Sequence, residues 1–195
     1  MKTYKTTVEK PRIEISYDTF AESPRESNSN LGYFITIDSN NHSPDDREDF
    51  KTIIEDTGEI ATSQEDHIKA IKKEIEDQVQ EKVLAIYPIV KYEHSGVVYR
   101  RGEKHGFDYS NNGFYIVTEE SAKELGIKKK DFERIIDQEL EEYTQYANGE
   151  VYMITVYDEN GELQDTCGGF YSIEDMQGGL PEDLQNEDLT TYIIN

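Results

Sequence analysis

Apolar and polar positions alternate along this chain in two periods, and the change from one to the other marks out its elements. Arg12-Ile-Glu-Ile-Ser-Tyr17 alternates residue by residue, which predicts a strand with one buried face. Gly32–Asp38 (GYFITID) is dense in aromatic and β-branched residues and predicts a second strand. Between them, Phe20–Asn30 is rich in Ser, Asn, Glu and Pro and is expected to be a loop, as is Asn40–Asp46 (NNHSPDD). Asp46–Glu55 then gathers Phe50, Ile53 and Ile54 on one side, the pattern of a short acidic helix. Ser63 suits the N-cap of a longer helix, with Glu65 and Asp66 favourable in its first turn. Ile68, Ile71, Ile75 and Val79 give that helix a narrow apolar stripe.

Val83–Tyr92 (VLAIYPIVKY) reads as a buried strand, and Pro88 within it argues for a sheet edge or a bulge, because proline cannot donate to a ladder. Val97–Arg100 and Gly113–Thr118 (GFYIVT) predict two further strands, separated by the loop RRGEKHGFDYSNN. Thr118 can cap a short helix running through Leu125 and ended by Gly126. The next helix has the clearest periodicity: Phe132, Ile135, Ile136, Leu140 and Tyr143 share one face, and Gly149 supplies a stop. Glu150–Tyr157 and Leu163–Phe170 read as a hairpin about Asn160-Gly161. From Ser172 onward apolar residues thin out, so 172–195 is expected to be an acidic, mobile tail, with Tyr192, Ile193 and Ile194 available to dock. These elements predict an α+β fold, a mainly antiparallel sheet with two to four helices packed on it. The expected organisation is an extension over 1–10, one domain over 11–171, and the tail. No repeat of 20–50 residues is visible.

The chain has 195 residues and 22.6 kDa, room for one ordinary domain or two small ones. Only 35% of residues are hydrophobic, yet 14 Tyr and 7 Phe supply bulky core material that a disordered chain would lack. One Cys excludes a disulfide framework and a Cys-rich zinc site. No apolar run is long enough to span a bilayer, and MKTYKTTVEKPR lacks the apolar core of a signal peptide, so a cytosolic protein is expected. With 20 basic against 42 acidic residues, the net charge of −22 repels nucleic acid and anionic membranes. Neither direct DNA binding nor membrane binding is therefore expected.

The charge is also segregated. Met1–Arg12 is basic and His67–Lys130 nearly neutral, whereas Ile13–Asp66 carries 3 basic against 14 acidic residues. Asp131–Asn195 carries 17 acidic residues against Arg134 alone. In the helix that opens this last segment, Glu133, Asp137 and Glu141 recur every four residues and so line up about 6 Å apart. Like charges at that spacing cost a few tenths of a kcal/mol per pair, and no Lys or Arg follows four residues on to relieve them. A solvated face tolerating the cost is the plain explanation. The alternative is a surface that replaces nucleic acid: 16 net charges equal the phosphates on about eight base pairs. Glu133, Asp137, Glu141, Glu142, Asp158 and Glu159 are the residues assigned to such a surface. Its partner would be a protein with a basic nucleic-acid-binding groove.

Candidate chemistry is sparser. His94-Ser95, with Glu93 and Asp108 nearby in sequence, suits acid–base or nucleophilic work, but His-Ser-Gly at a strand end is also a common way to turn a chain. His42, His67, His94 and His105 have no chelating spacing, and no metal or cofactor is called for. Cys167 reads as a small buried hydrophobe. Gly168-Gly169 and Gly178-Gly179 lack the Lys-Ser/Thr of a phosphate loop. Arg100, Arg101, Lys104 and His105 form a basic patch that could contact RNA or an acidic surface, but a solvated loop is the plainer explanation.

Six blocks in order carry a family resemblance: PRIEISYD from Pro11, SPRE from Ser23 leading to NLG at Asn30, YEHSG from Tyr92, GFYIVTEE from Gly113, YTQYANGEVY from Tyr143 and DTCGGFY from Asp165. The chain resembles a family of small acidic proteins carried by bacteriophages and conjugative elements of Gram-positive bacteria. The blocks span Pro11–Tyr171. Two positions depart from the family pattern. Gly168-Gly169 stands where a Trp is usual near the final GFY, and Tyr109-Ser110-Asn111-Asn112 stands where Asp-Ser-Gly-Gln is usual. The resemblance implies a mobile-element gene product, and such accessory proteins often counter host defence, whether a restriction or a CRISPR effector. The expected function is inhibition of such an effector by the acidic surface. The alternatives are a nuclease or hydrolase acting on a defence component through His94, Ser95 and Asp108, or a protein that tunes plasmid or phage physiology by protein contacts alone.

Overall fold

The computed structural model describes residues 12–37, 43–103, 106–182 and 184–189. Its fold is α+β, with two antiparallel sheets and six α-helices among the described residues. In chain order these begin with β1 (Arg12–Tyr17), α1 (Pro24–Ser27), β2 (Tyr33–Thr36) and α2 (Glu48–Ile60). Next come α3 (Gln64–Glu74), a π-helical turn at Ile75–Val79, β3 (Val83–Glu93), β4 (Val97–Arg101) and β5 (Tyr109–Thr118). Then follow α4 (Glu119–Glu124), a 3₁₀ turn at Lys129–Asp131, α5 (Phe132–Ala147), β6 (Tyr152–Tyr157), β7 (Leu163–Phe170) and α6 (Ile173–Gly179). The chain divides into two compact units, a central one over 23–144 and a terminal one formed by 1–22 with 145–195. The α+β fold and antiparallel pairing expected from the hydrophobic pattern are present, with the strands divided between two units, each with its own sheet and core.

The central unit is a three-layer arrangement around the sheet β2-β5-β3-β4. Tyr115 and Val117 of β5 pack with Phe34, Ile89, Tyr99, Ala122, Phe132, Ile136 and Leu140 on the α4/α5 side. Phe114 and Ile116 point the other way, into Ile35, Phe50, Ile53, Ile54, Ile71 and Ile75 of the α2/α3 side. A strand covered on both faces has no reason to alternate, which is why GFYIVT is apolar throughout. Gly113 opens this run because the neighbouring strand leaves no space: a Cβ there would lie 2.0 Å from the Ile35 carbonyl oxygen. Local signals hold at the helix starts. Ser63 accepts from the Asp66 amide, and Thr118 forms a capping box with Ser121. The expected loop Phe20–Asn30 contains α1, whose Ser23 N-cap and Pro24 are a helix-start signal in their own right. The acidic helix expected at Asp46–Glu55 runs on to Ile60 and buries Thr57, whose hydroxyl donates to the Ile53 carbonyl.

Pro88 is not at an edge: β3 lies between β5 and β4. The Pro88 carbonyl accepts from the Gly102 amide at 2.9 Å, so its nitrogen faces β4 as well. The missing N–H falls just past the last pair of the β4 ladder, Ile89 opposite Arg101. The expected irregularity does fall beside it, a register shift between Ile89 and Val90 against β5.

The terminal unit is built on the sheet β1-β6-β7. Ile13 and Ile15 pair with Val156 and Ile154, and these four pack against Met176, Leu180, Leu184 and Leu189. Residues 172–182 and 184–189 are therefore folded, against the expectation of a mobile tail; Tyr192–Ile194 lie outside the described residues. Ser172 caps α6 by accepting from the Asp175 amide, and the Gln177 amide group donates to the Glu187 carbonyl at 2.9 Å. Four apolar residues scattered among acids look like a tail in sequence, but each buries about 2 kcal/mol of side chain and together they cover one face of the sheet. Cys167, expected to be buried, is exposed on β7. Leu180→Ala should lower stability by about 3 kcal/mol in a denaturant melt with the β-sheet signal intact at low denaturant; an unchanged melt would mean that the segment is not part of the core.

Candidate acidic interface

On α5, Phe132, Ile136 and Leu140 are fully buried against the central sheet, which fixes the helix and turns the remaining positions outward. Glu133 and Asp137 are 66% and 56% exposed at their side chains, and Glu141 is exposed one turn further on. The expectation that this face lacks a counter-charge fails for two of the three. Arg101, 36 residues earlier at the end of β4, donates from Nε to Asp137 Oδ1 at 2.8 Å and from Nη2 to Oδ2 at 2.9 Å. Its Nη1 lies 3.4 Å from Glu133 Oε2. The hydrogen bonds that Arg101 donates to Asp137 raise the Arg101 pKa above its ordinary value. Because both carboxylates are largely in solvent, such a pair contributes about 0–1 kcal/mol. Glu142 accepts from the Asn28 amide group at 3.3 Å.

Asp158 and Glu159 belong to the other unit, at the β6–β7 turn. Asp158 is engaged locally: its Oδ1 accepts from the amides of Asn160 and Glu162, both at 2.8 Å. The Glu162 bond is the largest of several that hold the Asp158 carboxyl below the usual carboxylate range. Glu159 projects from the turn and is exposed.

The helix carries a further acid, one that the sequence reading passed over. Glu139 sits three residues after Ile136 and four before Tyr143, on the apolar stripe itself, and that misplaced charge is the signal that marks it. It turns inward to a buried cluster around Arg25. The guanidinium donates to Glu139 Oε2 at 2.6 Å, to Asp45 Oδ2 at 2.6 Å, to the Gly32 carbonyl at 2.6 Å and to Asn30 Oδ1 at 2.9 Å. Tyr115 donates its hydroxyl proton to Glu139 and accepts from the Gly32 amide. Glu139 Oε1 also accepts from the Leu31 amide at 2.8 Å. Burial alone lowers the Arg25 pKa, but the charges and hydrogen bonds of Asp45 and Glu139 outweigh it and the net shift is upward. Burial, then the Glu139 charge, raises that of Tyr115.

The residues of the catalytic alternative lie on exposed segments at one end of the central sheet. His94 and Ser95 lie on the exposed β3–β4 turn. Asp108 is exposed ahead of β5, where its backbone carbonyl accepts from the Glu93 amide at 3.0 Å. Among the described residues no side-chain hydrogen bond joins the three, and no three His, Cys, Asp or Glu residues are placed to hold a metal. His67 is a packing residue: its Nε2 lies 2.9 Å from the Ile54 carbonyl, and the ring stands edge-on to Phe114 at 5.0 Å. His42 and His105 lie outside the described residues. Among those described, no helix is long and apolar enough to cross a membrane. Comparison with protein-family models, curated proteins and solved structures finds no match.

Replacing Arg25 by Met should cost about 3–5 kcal/mol, because Asp45 and Glu139 are left buried without their cation. A loss below 1 kcal/mol in thermal or denaturant unfolding would show that the cluster does not hold the unit. At the hairpin, the lowered Asp158 pKa fixes the sign of a pH effect. Its contribution is present above the ordinary carboxylate pKa and is lost as pH falls below about 4. The amides of Asn160 and Glu162 should then exchange faster, after correction for intrinsic rates, and Asp158→Asn should remove the pH dependence.

Proposed function

We propose that this protein is a mobile-element accessory protein that acts in the host bacterial cytosol by occupying the nucleic-acid groove of a defence protein, such as a restriction or CRISPR effector. Carboxylates take the place of phosphates. The observation that carries this reading is the solvent face of α5, where Glu133, Asp137 and Glu141 stand on a helix whose opposite side is anchored in the core. Rigid carboxylates entering a basic groove release the counterions held there and the reading follows the energetics of phosphate binding. Arg101 fits this role as a placeholder: an exposed ion pair of small net worth is readily exchanged for an Arg or Lys of the partner. The net charge of −22 adds long-range steering toward a basic target.

The test is a titration of the purified protein against a panel of restriction and CRISPR nucleases, read as nucleic-acid cleavage at low and moderate salt. Inhibition should saturate near one equivalent and weaken as salt rises. Changing Glu133, Asp137, Glu141 and Glu142 together to Gln should weaken it at least tenfold with the fold intact, whereas Arg101→Ala should inhibit as well as the parent. Inhibition that survives the fourfold change would remove α5 from the interface. Inhibition far below one equivalent and lost in His94→Ala would identify an enzyme instead.

A further inference from the structure

We propose that the outer edge of β7 binds an extended, Lys- or Arg-bearing segment of a partner protein, adding it as a fourth strand to the terminal sheet. The site lies in the terminal unit and stands whether or not α5 enters a nucleic-acid groove. β7 ends the order β1-β6-β7, and every residue from Leu163 to Gly169 is exposed, Leu163 to 62%. The Thr166 amide donates to Asp165 Oδ1 at 2.9 Å and so points away from β6, toward the open side. The carbonyl of the same residue points with it. Such a row of backbone groups is a template for another strand.

The central sheet treats its edges differently. Beyond β2, the Phe34 amide donates to Asp45 Oδ2 at 2.5 Å, the Phe34 carbonyl accepts from the Asp45 amide, and the Thr36 amide donates to Ser43 Oγ. Beyond β4, the Tyr99 amide donates to Thr144 Oγ1 at 3.0 Å. Those edges are closed by Asp45, Ser43 and Thr144, whereas among the described residues the Thr166 amide is met by the side chain of the residue before it. An incoming carbonyl that takes the Thr166 amide frees the Asp165 carboxylate to receive a cation from the same incoming strand.

Charge selects the occupant. Asp158, Glu159, Glu162 and Asp165 flank or lie on β7, and residues 145–195 hold 11 acidic residues without one Lys or Arg. A second copy would lay Asp165 and Glu162 against their own kind, whereas a cationic strand gains across the ladder. The regular edge ends at Cys167. Past it the Gly169 amide donates to Asp18 Oδ2 at 3.0 Å, and a Cβ on Gly168 would lie 2.2 Å from that oxygen. The site therefore takes about five residues of extended chain.

The experiment titrates the isotope-labelled full chain with a capped eight-residue peptide of alternating Lys and Thr, followed by backbone amide shifts and exchange. Two control peptides keep all but one property, one with alternate amides N-methylated at unchanged charge and one with Glu in place of Lys. The expected result is shifts over Leu163–Cys167 and slowed exchange at Thr166, with binding at least tenfold weaker for the N-methylated peptide and lost for the Glu peptide. Thr166→Pro, which leaves the β6 ladder intact, should abolish binding; if that variant does not fold, the N-methylated peptide decides alone. Equal binding of the N-methylated peptide, shifts confined to α5, no binding of the Lys peptide, or self-association that Thr166→Pro abolishes would each overturn the proposal.

Discussion

A buried cation is tolerable only when its donors and its charge are both met, and Arg25 satisfies that condition by drawing together parts of the chain that are far apart in sequence. Asp45 comes from the segment after β2 and Glu139 from α5, 114 residues away. Tyr115 comes from the most deeply buried strand, and Asn30 and Gly32 from the turn before β2. The bonds that satisfy Arg25 therefore fix the position of α5, set the conformation of the 30–32 turn and hold Asp45 where it closes the edge of β2. The acidic helix presents a fixed outer face partly because Glu139 on its inner side is held in this way.

The same logic of distant compensation applies on the surface, with smaller energies. The outer face of α5 looks like a row of unrelieved carboxylates when it is read along the helix. Arg101 relieves two of them from a strand of the neighbouring layer. Exposed pairs of this kind are weak enough to exchange. The buried Arg25 cluster, by contrast, belongs to the fold and is not available to a partner. The division separates the carboxylates that hold the molecule from those that can meet another one.

The two units use edges and charge in different ways. The central sheet is covered on both faces and closed at both ends, by Asp45 with Ser43 and by Thr144. The terminal sheet is covered on one face by α6 and the turns after it, and its β7 edge is exposed. No cation from residues 145–195 stands near that edge, because the segment contains none. Acidic composition therefore has a structural counterpart in each unit, a helix face in one and a strand edge in the other.

Local pattern alone determined most of the elements. The alternation of Arg12–Tyr17, the turn at Asn160-Gly161 and the caps at Ser63 and Thr118 depend on neighbouring residues, and each stands in the structure where the sequence puts it. The net charge and its segregation are likewise properties of the chain. Tertiary structure alone decided that Pro88 lies inside a sheet, that Met176, Leu180, Leu184 and Leu189 belong to a core, and that Glu139 turns inward to Arg25. It also decided that Arg101 answers Glu133 and Asp137, that the Asp108 backbone meets Glu93 beside His94, and that β7 ends its sheet. Each of these depends on segments that are not neighbours in sequence, and a pairing set by the approach of such segments leaves no periodicity from which it could be read.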